Sequence, residues 1–103
     1  MMGIGIIVAD ADTVRFRTVL TLAAAQAALG GRVRILLDSG AVMLAQAPDA
    51  LLESCLELGA EVMLCQTGLA DAGLDASALD PRFCYGGMVG WLAALGEDRL
   101  VVA

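Results

Sequence analysis

Four short apolar runs constrain this chain more than any other feature: GIGIIVA (3–9), RVRILL (32–37), EVMLC (61–65) and RLVVA (99–103). GIGIIVA is rich in β-branched residues and apolar without alternation, the pattern of a strand covered on both faces. Helical spacing fills the gaps between the runs. From Thr13 onward, Val14, Phe16, Val19, Leu20, Ala23, Ala24 and Ala27 form a wide apolar face, and Gly30 or Gly31 supplies a left-handed stop. In PDALLESCLELG (48–59), Leu51, Leu52, Cys55 and Leu56 share one face, while Glu53, Ser54 and Glu57 share the other. Pro48 and Asp49 suit the first turn of that helix and Gly59 its end. DSGAVMLAQA (38–47) reads as a loop, GLADAG (68–73) as a short helix, FCY (83–85) as a short strand and GGMVGWLAALG (86–96) as the last helix. Strands alternating with helices imply an α/β fold: one domain over residues 1–103, with a parallel sheet and helices on both faces.

Composition narrows the function classes. The chain is 59% hydrophobic and only 17% charged. A domain this small leaves about a third of its unfolded-chain surface exposed, and so few charges cannot cover it. Large apolar patches result, and such patches mark interfaces, so a homo-oligomer or an obligate partner is expected. No membrane span is expected, because the longest uncharged stretches, Arg17 to Arg32 and Arg82 to Glu97, enclose fourteen residues each, short of the ~20 that cross a bilayer. No basic region precedes the first apolar run, so a secretory signal is not expected and the chain reads as cytoplasmic. A net charge of −6, six scattered Arg and no Lys or His argue against nucleic acid, whose phosphates need clustered cations. Three cysteines without a C-x-x-C pair fit neither a disulfide framework nor a zinc site.

Ligands of parallel sheets sit beyond the carboxyl ends of the strands, which nominates Asp10, Asp12, Asp38, Cys65 and the pair Gly86-Gly87. Gly3-Ile4-Gly5 is not a dinucleotide fingerprint, since its glycines open the strand instead of following it. Asp10 and Asp12 suggest the acidic pocket of phospho-receiver domains. Those domains also need an acceptor Asp after the third strand and a Lys after the fifth, and here Cys65 ends the third strand and lysine is absent. Asp12 is read as a helix cap. No metal set and no cofactor motif emerges.

The cysteines separate by position. Cys55 falls mid-helix on the apolar face and reads as core. Cys84 alternates with Phe83 and Tyr85 in its strand, and packing is the expected role. Cys65 ends a strand two or three residues before a helix, where a thiolate can accept hydrogen bonds from the amides of Thr67 and Gly68. Gly68 lets a ligand approach the backbone closely. With no His in the chain, a Cys-His dyad within it is excluded, and sulfur exchange is the chemistry left to a lone thiol. A redox pair in which Cys84 resolves a Cys65 sulfenate requires a Cα separation below about 7 Å.

Three stretches together resemble the DsrE/DsrF-like family of sulfur-relay proteins, which includes the TusD-type sulfurtransferase subunits: GIGIIVADADT with its Ala-rich helix, GRVRILLDSGAV, and AEVMLCQTGLADAGL followed by GGMVGWLAAL and DRLVVA. The resemblance implies a three-layer α/β/α sandwich with a five-stranded parallel sheet, assembled as a homo-oligomer, a trimer or a hexamer. It implies a persulfide on Cys65, with Thr67, Gly68, Gly86 and Gly87 around the sulfur, no cofactor, and protein partners that donate and accept sulfur. Relatives without this cysteine imply the alternative of a non-catalytic oligomeric subunit that binds a partner or a small ligand.

Overall fold

The computed structural model describes residues 1–47 and 49–103. The strands are β1 (Ile4–Val8), β2 (Val33–Leu37), β3 (Glu61–Cys65), β4 (Cys84–Gly86) and β5 (Arg99–Val102). The helices are α1 (Thr13–Ala28), α2 (Ala50–Glu57), α3 (Gln66–Ala72) and α4 (Met88–Leu95). All strands run parallel in the order β4-β3-β2-β1-β5. This is the five-stranded parallel α/β architecture that the alternating runs imply. Among the described residues, no helix is long and apolar enough to cross a membrane.

The two faces of the sheet are covered unequally. On one face Ile4, Ile6, Val8, Val33, Ile35 and Leu37 pack beneath Phe16, Val19, Leu20 and Ala23 of α1 and Leu52 and Cys55 of α2. On the other, a small cluster of Ile7, Leu36, Trp91 and Leu95 joins the sheet to α4 alone. Gly5 makes that contact possible. A Cβ there would stand 2.9 Å from Cη2 of Trp91 and would also collide with the Leu95 side chain. Gly5 is thus explained by close packing of a helix on the sheet, whereas a Cβ on Gly3 would stand 2.6 Å from Cγ of Asp98.

Local chemistry sets the helix ends. Asp12 caps α1, accepting from the Arg15 amide at 3.0 Å, and Asp49 caps α2, accepting from the amides of Leu51 and Leu52. Pro48 lies outside the described residues. Gly30, Gly59 and Gly73 take positive φ after α1, α2 and α3, as helix stops do.

Three expectations are corrected. Val14 is 80% exposed, because it lies across the helix from Phe16 and Val19, and Gln26 takes a buried place instead, donating to the Met2 carbonyl at 2.8 Å. DSGAVMLAQA is a 3-10 helix over Ser39–Ala45, not a loop, with Ala41, Val42, Leu44 and Ala45 buried. Cys84 is exposed because β4 is an edge strand.

Candidate functional site at the end of strand β3

Helix direction singles out one crevice. After β3 the chain turns into α3, whose Leu69 joins the larger core. After β4 it turns into α4, which packs on the opposite face. Neighbouring strands whose helices depart to opposite faces define a topological switch point, the place where open α/β sheets bind ligands. Cys65 stands there, paired across the ladder with Gly86.

The helix begins earlier than the sequence suggests. α3 starts at Gln66, so Cys65 is its N-cap and Gly68 its third residue. The Gly68 amide donates to Cys65 Sγ at 3.4 Å, as the third amide of a helix does to its cap. The Thr67 amide, also expected as a partner, makes no such bond among the described residues; the residue instead lines the cavity beside the sulfur. That cavity, of about 290 Å³, is bounded by Ser39, Gly40, Cys65, Thr67, Gly68, Asp71 and Ala72. Cys65 is half-buried.

Two neighbours shape the cavity. A Cβ on Gly68 would lie 2.7 Å from the Ser39 carbonyl oxygen, so only glycine lets the turn after β2 close against α3. Ser39 itself adopts φ 48°, an uncommon conformation for a residue with a side chain, and its hydroxyl donates to Asp38 Oδ2 at 3.3 Å. Asp38 directly follows Leu37, which faces Leu64 across the β2–β3 ladder, and precedes the 3-10 helix that begins at Ser39. The sequence offered no signal for Ser39 and Asp71, since they reach the site through the turn after β2 and the face of α3.

The other nominated residues disperse. Gly86 stands beside Cys65 in the ladder, and a Cβ there would stand 3.0 Å from Met63 Sδ. Gly87 is the N-cap of α4 and makes no side-chain cap bond. Neither lines the Cys65 cavity among its described residues. Asp10 lies two strands away, 3.7 Å from Arg15. Cys55 is fully buried, its Sγ donating to the Leu20 carbonyl at 3.4 Å, and burial, helped by Asp49, pushes its thiol up. Cys84 faces Met63, two positions before the Gly86 that faces Cys65. A ladder spacing of ~4.8 Å and a rise of ~3.3 Å per residue put the two Cα atoms about 8 Å apart. That exceeds the disulfide limit, and the redox-pair reading falls.

Solved structures share this whole architecture. The chain has the fold of YchN. The YchN protein of E. coli superposes with a TM-score of 0.82 over 100% of both chains at 23% identity. MTH1491 of Methanobacterium thermoautotrophicum, of unknown function, matches at 0.81 over 100% of both chains with 14% identity. BT1422 of Bacteroides thetaiotaomicron matches at 0.75 over 97% of this chain and 94% of that one, with 16% identity. No family model and no curated protein matches the sequence.

Proposed function

We propose that this protein is a small cytoplasmic sulfur carrier of the DsrE/DsrF-like kind, holding sulfane sulfur as a Cys65 persulfide. The observation that carries the reading is the Cys65 sulfur itself, at the switch point of the sheet, accepting a backbone hydrogen bond and opening on a cavity. A sulfur that accepts from an amide is arranged to hold negative charge. The Cys65 thiolate attacks the outer sulfur of a donor R–S–SH. The donor S–S bond breaks, R–S⁻ leaves with the electron pair, and Cys65–S–SH remains. Discharge repeats the exchange with an acceptor thiolate, so sulfur moves without an external oxidant or reductant. Gly68 steadies the sulfur anion, and Thr67 lines the cavity through which a donor approaches.

Incubation with a persulfide donor should add about 32 Da, one sulfur, to Cys65, and the adduct should be absent from Cys65→Ser. An adduct confined to Cys84 would sink the assignment.

The uncovered second face favours a homo-oligomer. Val89 and Leu92 of α4 and Leu100 and Val102 of β5 are exposed, Val89 to 87%, and β5 is a sheet edge. That face also supports the second reading, a non-catalytic oligomeric subunit, which requires native Cys65 to resist alkylation in the assembly.

A further inference from the structure

We infer that the Cys65 cavity discriminates donors by charge: it takes sulfur from a peptide or protein persulfide flanked by cations and refuses small anionic sulfur compounds, with Asp71 as the specificity-determining residue. The inference rests on the sulfur-carrier reading and adds the donor's chemistry to it.

The charge distribution along the strands carries the argument. Arg32, Arg34, Arg82 and Arg99, four of the six arginines, lie toward the amino ends of β2, β4 and β5. Three of them are engaged there: Arg32 with Asp98, Arg34 with Glu61, and Arg82 with Asp80 and Glu53. Of the remaining two, Arg15 pairs with Asp10, and Arg17 lines a surface depression formed with α2. The sequence contains neither lysine nor histidine. Among the described residues, the only charged group lining the Cys65 cavity is therefore Asp71.

Asp71 follows Thr67 by four residues on α3, so both stand on the helix face that looks across the cavity toward Ser39 and Gly40. A thiosulfate dianion approaching the Cys65 thiolate meets the like charge of Asp71 and, among the described residues lining the cavity, no cation to neutralise it. A persulfide carried among Lys or Arg brings its own countercharge, and the net charge of −6 steers such a donor toward the protein.

The test compares loading rates of Cys65, read by mass spectrometry, from three donors: a Cys-persulfide peptide flanked by Lys, its counterpart flanked by Glu, and thiosulfate. At low ionic strength the Lys peptide should load at least about tenfold faster than the Glu peptide, with thiosulfate slowest. The gap should close as salt shortens the screening length below about 8 Å, and Asp71→Asn should narrow it at low salt. Equal or faster loading from the anionic donors overturns the charge inference and leaves the carrier reading standing. An unchanged gap in Asp71→Asn removes that residue's role. Loading from none of the three donors overturns the carrier reading and this inference together.

Discussion

Cys55 and Cys65 lie one helix and one strand apart, and the fold gives their sulfurs opposite hydrogen-bonding roles. Cys55 Sγ donates to the Leu20 carbonyl inside the larger core, so its proton is part of the packing and ionisation breaks the contact. Cys65 Sγ accepts from the Gly68 amide at a cavity mouth, so negative charge on the sulfur strengthens the contact. The lesson is that the direction of one hydrogen bond, more than burial alone, separates a packing thiol from one arranged for chemistry.

The sharpest way to break this comparison is to place the same carboxylate at both positions. Cys55→Asp forces a charge into an apolar core beside a carbonyl and should cost several kcal/mol, on the order of the whole stability of a small domain. Cys65→Asp supplies a preferred N-cap to α3 and should stay within about 1 kcal/mol of the parent. Urea unfolding of the two variants checks both values. Equal losses would mean that Cys65 is as deeply packed as Cys55.

Gly68→Ala comes next in size. Its new methyl group meets the Ser39 carbonyl and should cost about 1–3 kcal/mol by overpacking, measured by thermal or urea unfolding. Loading of Cys65 from a persulfide donor should slow as well, because the capping amide shifts with the helix.

A smaller effect appears in alkali. Burial, with help from Asp49, pushes the Cys55 thiol up in the folded chain. The unfolded chain loses that proton first, near pH ~8.5, and so binds fewer protons over this range. Stability therefore falls as pH rises above that point. Cys84, raised in the same direction by burial and Glu61, adds a weaker share because it is exposed. Urea midpoints measured across that range should fall less steeply in Cys55→Ala than in the parent.

Much of this was legible in the sequence. The five strands, Asp12 as a cap and Cys55 as core all follow from apolar spacing and helix-end chemistry, which act over a few residues. What escaped depends on contacts distant in sequence. The starting residue of α3 turned on Cys65 serving as its own cap, a role seldom filled by cysteine. Gly5 and Gly68 are required by Trp91 and the Ser39 carbonyl, neither of which is near them in the chain. Cys84 was misplaced because strand order decides which strand lies at an edge, and alternation along one strand carries no information about order.

The most direct measurement is brief alkylation of the native, assembled protein, with each cysteine resolved by peptide mass spectrometry. Cys55 must wait for an opening that costs ~5 kcal/mol or more, so Cys65 should react at least about 10³-fold faster. Modification of Cys65 as slow as that of Cys55, reached only on unfolding, would contradict the account and leave the oligomeric subunit as the better reading.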